Sequence, residues 1–117
     1  MSSQPATATV GSCHCGAVRI TLPHAPDWVG ACNCSLCSKL GTLWAYYPDA
    51  DVAIDGATDA YVWGTRSIGI HHCRTCGCVT HWRTLGRDFG RMGINARLLE
   101  GFAAETVEIR LLDNAAD

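Results

Sequence analysis

The chain has 117 residues, 48% of them hydrophobic and 17% charged, which suits one folded domain and excludes wholesale disorder. Its formal net charge is −2, and the only lysine, Lys39, and the scattered arginines make no run. A concentrated basic surface for non-specific nucleic-acid binding is therefore not expected, and no apolar run approaches the ~18–20 residues that span a bilayer.

In chain order, residues 1–9 are rich in Ser, Thr and Ala and read as a frayed tail. They lack the basic region and apolar stretch of a secretory signal, so the expected compartment is the cytoplasm. Residues 10–113 read as a single domain and 114–117 as a second short tail. Residues 17–22 alternate, with Val18, Ile20 and Leu22 on one face, and predict a strand. Further strands are expected at 28–31, at the aromatic-rich 42–47 before the Pro48-Asp49 turn, and at 52–54 before Asp55-Gly56. Others follow at 61–63 (ending at Gly64), 67–72, 79–83, 91–95 and 107–112. Helix is scarce: one turn at 35–40, and one or two at 96–104, broken at Gly101. Short segments bounded by Gly, Pro and Asp predict a mostly β domain of hairpins.

Cysteine carries the chemistry. There are eight, and in a reducing compartment they argue for metal rather than disulfides. Cys13 and Cys15 stand at i and i+2 and are followed by Gly16. Cys73 and Cys76 form a CxxC followed by Gly77. Residues at i and i+2 of a strand share a face, and glycine permits the turn that aims backbone N–H groups at thiolate sulfur. These four cysteines are expected to hold one structural zinc.

Cys32, Cys34 and Cys37 form a CxCxxC cluster one ligand short of a closed tetrahedral site, followed by Ser38-Lys39. A zinc with an open position can do chemistry, and a sulfur-rich shell favours a thiol as guest. Three other readings stay open: closure by Cys78, closure by a histidine such as His72 or His81, or cysteines that merely pack.

The motifs Gly11-Ser12-Cys13-His14-Cys15-Gly16-Ala17-Val18, Cys32-Asn33-Cys34-Ser35-Leu36-Cys37 and His72-Cys73-Arg74-Thr75-Cys76-Gly77 resemble the glutathione-dependent formaldehyde-activating enzyme family, whose relatives include the centromere protein V group. The resemblance runs from about Gly11 to Leu112. It implies a β-tent (Mss4-like) fold of small antiparallel sheets stapled by zinc. It also implies a structural zinc on Cys13, Cys15, Cys73 and Cys76, and a catalytic zinc on Cys32, Cys34 and Cys37. The implied activity is that of a carbon–sulfur lyase condensing glutathione with formaldehyde. Cys78 is an extra thiol outside that pattern. The alternative is a non-catalytic zinc-stabilised β module that binds a protein or nucleic-acid partner.

Other residues receive weaker expectations. His14, between two ligands, points to solvent. His71 and His72 face opposite sides of their strand, so one of them could approach a metal as a proton shuttle. His81 caps the sheet. Trp44, Tyr46 and Tyr47 wall a groove or pack the core. Arg66, Arg74 and Arg83 are candidate carboxylate clamps. Asn95 has no assigned role.

Overall fold

The computed structural model describes residues 8–62, 68–85 and 90–113. The strands are β1 (Thr9–Ser12), β2 (Arg19–Leu22), β3 (Trp28–Cys32), β4 (Trp44–Pro48), β5 (Ala53–Asp55), β6 (Thr58–Tyr61), β7 (Ile68–Cys73), β8 (Val79–Thr84), β9 (Arg91–Asn95) and β10 (Glu108–Leu112), with one short helix, α1 (Cys37–Leu40). They form a three-stranded sheet in the order β1-β2-β5 and a seven-stranded sheet in the order β10-β3-β4-β9-β8-β7-β6.

The mostly β expectation holds, with changes of detail. β1 begins at Thr9, the last residue assigned to the tail. The strand expected at 61–63 lies earlier, at Thr58–Tyr61; Trp63 and Gly64 fall outside the described residues, as do Arg66, Ser67, residues 1–7 and 114–117. The helix expected over 96–104 is two 3-10 turns, Ala96–Leu98 and Ala104–Thr106. These turns carry the chain around the molecule, so β10 returns parallel to β3 rather than as a hairpin partner, with Glu108 opposite Trp28 and Leu112 opposite Cys32.

Alternation then sorts the side chains. Ile20, Leu22, Val29, Ala45, Tyr47, Met92 and Ile94 are buried in one core. On the large sheet, the residues that alternate with Val29, Ala45, Tyr47, Met92 and Ile94 point to the other face. There Trp44, Ile70 and Trp82 pack with Cys34 and Cys37 in a second cluster. Tyr46, Gly93 and Trp82 lie in register across β4, β9 and β8. A Cβ at Gly93 would collide with the Trp82 indole, so glycine here is what lets Trp82 lie flat on the sheet. Gly93→Ala should cost about 1–3 kcal/mol by overpacking; urea denaturation of the zinc-loaded protein measures it.

Asn95 has a role the sequence did not disclose. Its amide donates to the Val79 carbonyl at 2.9 Å, and its side-chain oxygen accepts from the Arg97 N–H at 3.2 Å. It ties β8 to the turn after β9.

Candidate metal centres

β1, in the three-stranded sheet, ends one residue before Cys13, and β7, in the seven-stranded sheet, ends on Cys73, so the cluster joins the two sheets through chain segments almost sixty residues apart. The four sulfurs of Cys13, Cys15, Cys73 and Cys76 all lie within 4.8 Å of one another. Cys13 Sγ to Cys15 Sγ is 3.7 Å, as is Cys15 Sγ to Cys73 Sγ. A tetrahedral zinc with Zn–S bonds of about 2.3 Å sets its sulfurs about 3.8 Å apart, so the donor set and its spacing fit the ion.

The backbone is shaped for anionic sulfur. Val18 N–H reaches Cys13 Sγ at 3.3 Å, and Thr75 and Cys76 N–H reach Cys73 Sγ at 3.3 and 3.5 Å. Gly16 and Gly77 take left-handed φ of 83° and 80°, with nothing within 4 Å of an added Cβ. Their requirement is conformational, as the CxCG and CxxCG readings expected. Backbone N–H groups of Cys78 and Cys15 hold the Cys76 thiol down at about 5. Cys13 and Cys73 are buried against Val18, while Cys15 is exposed.

The second cluster forms where β3 runs out. Cys32 is the last residue of β3, the chain turns through residues 33–36, and Cys37 opens α1. The three sulfurs of Cys32, Cys34 and Cys37 lie within 4.8 Å of one another. Cys34 N–H reaches Cys32 Sγ at 3.5 Å and Cys37 N–H reaches Cys34 Sγ at 3.3 Å, the same kind of support as in the first cluster. Cys34 and Cys37 are buried and Cys32 is half-buried. Burial pushes the Cys37 thiol up to about 12, against a lowering hydrogen bond from the Trp44 side chain. A bound cation offsets that burial, so this donor set also suits zinc.

Among the described residues, no fourth Cys, His, Asp or Glu joins these three sulfurs within 4.8 Å. Cys78 packs beside the first cluster, against Cys13, Val18 and Cys73, and its sulfur meets the backbone N–H of His14. His81 is 1% exposed. Its Nδ1 lies 2.8 Å from Thr80 Oγ1, and its ring stacks on His71 at 4.4 Å. His72 is half-buried and outside the group. The closures considered from sequence are thus not made here.

His14 is exposed, as expected. His81 does not cap a sheet edge; it is a buried, neutral ring. Burial holds its pKa down at about 3, with His71 and Arg83 adding to the effect. A neutral histidine must gain a proton on unfolding below its ordinary pKa near 6.5. Stability attributable to His81 is therefore constant above about pH 6.5 and falls as pH drops toward 3, by up to about 1.4 kcal/mol per pH unit. The unfolding free energy of wild type minus that of His81→Gln, followed from pH 7 to 4, should fall with this slope.

Of the aromatic residues after the trio, Trp44 and Tyr46 face the cysteines. Tyr47 points into the opposite core and donates its hydroxyl to the His24 carbonyl at 3.0 Å. Arg74 pairs with Asp59 at 2.9 Å on the surface. Arg83 lies on the sheet face opposite Trp82. The arginines that do lie beside the trio's face were not singled out by the sequence. Arg91 stands over the Tyr46 ring at 5.2 Å and Arg110 over the Trp28 ring at 4.2 Å. The only sequence signal for them is alternation on β9 and β10, which says nothing about which strands become neighbours.

A strand-rich domain with one four-sulfur and one three-sulfur cluster, both supported by backbone N–H groups and spaced for a tetrahedral ion, defines a class of cysteine-stapled β proteins that could bind zinc. The chain belongs to the glutathione-dependent formaldehyde-activating enzyme family, whose model matches residues 8–109. The fold is also similar to the crystal structure of a Rhodobacter sphaeroides protein solved in a structural genomics programme. The two are 33% identical with a TM-score of 0.71, over 86% of this chain and 99% of that one. A comparison with curated proteins returned no match.

Proposed function

We propose that this protein is a zinc-dependent enzyme of the carbon–sulfur lyase type. It joins a thiol such as glutathione to formaldehyde or another small aldehyde at a zinc held by Cys32, Cys34 and Cys37, while a structural zinc sits on Cys13, Cys15, Cys73 and Cys76. The observation that carries the reading is the three-sulfur cluster with no fourth Cys, His, Asp or Glu of the described residues joining it. The family match supports the thiol and the aldehyde.

When bound, zinc lowers the pKa of a thiol or water at its open position and can polarise a carbonyl. The chain's own residues do the rest. Trp44 hydrogen-bonds the Cys37 sulfur and fixes its orientation. Trp82 and Ile70 pack against the buried side of the cluster and exclude water there. Lys39, in the last turn of α1, places a positive charge near a site whose three thiolates outweigh a divalent ion. The reaction balances without a redox partner: a C–S bond forms, the carbonyl π bond breaks, and the thiol proton ends on oxygen. Seven of the eight cysteines group into two clusters that could hold metal, a use of cysteine that suits a reducing compartment such as the cytoplasm. No helix among the described residues is long and apolar enough to cross a membrane.

A second reading, a non-catalytic β module that binds a partner, is favoured by one observation. Ile109 and Leu111 of the edge strand β10 are 43% and 86% exposed. Exchange NMR separates the two, because it measures adduct formation at equilibrium above the spontaneous reaction. The zinc-loaded enzyme should accelerate glutathione–formaldehyde exchange at least tenfold over background and lose this on chelation. A protein holding two zincs with no acceleration would leave the binding module.

A further inference from the structure

Strand β10 is an outer edge of the seven-stranded sheet, and two of its residues are both apolar and exposed. Leu111 is 86% exposed and Ile109 is 43% exposed. They share one face of the strand, with Glu108 and Arg110 on the other. Edge strands are commonly blunted by lysine, proline or a bulge. β10 contains neither lysine nor proline, and its register to β3 runs unbroken from Glu108 to Leu112. Its two charges offset each other, with Arg110 Nε 2.6 Å from Glu108 Oε2.

One hydrogen bond fixes which main-chain groups of β10 point outward. Asn33 N–H donates to the Leu112 carbonyl at 3.1 Å, so that carbonyl points toward β3. Along a strand the N–H and C=O of one residue point to the same side, and those of the next residue to the other. Glu108 and Arg110 therefore turn their main chain to β3, and Ile109 and Leu111 turn theirs outward. Among the described residues, nothing bonds these outward groups. Val107 continues the strand backward in an extended conformation, with φ −115° and ψ 148°, and its main chain also points outward.

We propose that the outer edge of β10 pairs antiparallel with β10 of a second copy of this chain, about a two-fold axis at Ile109. Centred there, Ile109 faces its own counterpart and Leu111 faces Val107 of the second copy, all with main chains directed at each other as hydrogen-bonded pairs. Glu108 then faces Arg110 of the second copy, and Arg110 faces its Glu108. These are non-hydrogen-bonded pairs, in which side chains lie closer and opposite charges attract. The neighbouring registers lack this match. Centring on Glu108 or on Arg110 sets like charges opposite each other, and centring on Leu111 sets Arg110 against Leu112. The segment Val107-Glu108-Ile109-Arg110-Leu111 is thus self-complementary in charge in one register, as an isologous contact requires. Four charges alternate on one face of the joint, and the exposed apolar side chains meet on the other. The axis is normal to the sheet, so both cysteine trios face the same side of one continuous sheet. This pairing goes beyond the catalytic reading and holds whether or not the trio turns over a thiol. One strand pair is small against the ~1,200–2,000 Å² of standard interfaces, so assembly is expected to depend on concentration.

Sedimentation velocity of the zinc-loaded full chain, from micromolar to millimolar protein, should show a monomer and a dimer and nothing larger. Arg110→Glu and Glu108→Arg each set like charges opposite each other and should weaken the dimer at least tenfold. Mixed together, these two variants become complementary again and should form a heterodimer with affinity near that of the wild-type dimer. Ile109→Pro removes an outward N–H at the axis while sparing the bonds of β10 to β3, and it should give a monomer. Zinc content and thermal midpoint report whether each variant is folded; if Ile109→Pro unfolds, the mixing experiment decides alone. A wild-type chain that stays monomeric overturns the proposal. So does a dimer whose affinity is unchanged in both charge variants, a mixture no more dimeric than its components, or an open-ended series of larger species.

Discussion

Cys73→Ser should leave the chain unfolded at 25 °C, with near-UV circular dichroism lost and the four-cysteine zinc gone. Structural zinc in small peptides binds with an apparent ~10–16 kcal/mol at neutral pH, comparable to the whole ~5–15 kcal/mol stability of a domain. Cys73 is the residue through which that energy is coupled to the fold. It ends β7, it is 1% exposed, and its sulfur accepts N–H groups from both Thr75 and Cys76. Its loss also weakens the link between β1 and β7, since Cys13 and Cys15 are then left with Cys76 alone across the gap. Circular dichroism with bound-zinc analysis decides the matter. A folded Cys73→Ser chain with undiminished thermal midpoint would show that the four sulfurs are only packing.

Cys32→Ser should behave in the opposite way. The protein should stay folded, hold one zinc instead of two, and lose thiol–aldehyde turnover. Cys32 is the half-buried member of the trio, at the end of a strand already fixed by pairing to β10 and β4. Hydroxyl for thiol there changes little volume but replaces a soft ligand with a poor one. Mutation of outer-shell partners alone costs about 10–100-fold in metal affinity or activity, so loss of a ligand should cost at least about a hundredfold. Zinc stoichiometry and exchange NMR on the same sample give both readouts. A Cys32→Ser protein with wild-type turnover would remove the trio from catalysis.

The contrast between these two variants reflects what can be seen in a linear sequence. The pairs and the trio were legible because ligand spacing and the following glycine are local: Gly16 and Gly77 adopt the left-handed turns that CxCG and CxxCG require. The strands were legible where alternation is strict, as at Val18, Ile20 and Leu22, all buried. What escaped depends on which strands become neighbours. β10 pairs parallel to β3 across a long crossover, and no hairpin signal announces that. Arg110 reaches Trp28, and Arg91 reaches Tyr46, only because of that sheet order. The sequence therefore pointed to Arg66, Arg74 and Arg83; Arg66 lies outside the described residues, Arg74 is held by Asp59 at the surface, and Arg83 is on the face opposite Trp82. Cys78 was ambiguous for a similar reason. It follows Cys76 by two residues, and only the folded turn shows that it packs with the closed cluster and not with the trio.

The side chains around the two clusters show how a four-sulfur and a three-sulfur group fit in so small a domain. The four-cysteine cluster lies where two sheets meet and has its complement of sulfur. The trio lies on the opposite face of the large sheet, backed by Trp44, Ile70 and Trp82. The residues that back it are apolar or donate from a ring nitrogen, so none can serve as an extra ligand.

Anomalous-difference crystallography of the zinc-loaded protein, with and without glutathione, tests this directly. Two zincs per chain are expected, the second held by Cys32, Cys34 and Cys37 at about 2.3 Å, with water in the fourth position that glutathione sulfur replaces. A single zinc per chain, or a second zinc closed by a fourth protein ligand such as Cys78 or a histidine, would contradict it.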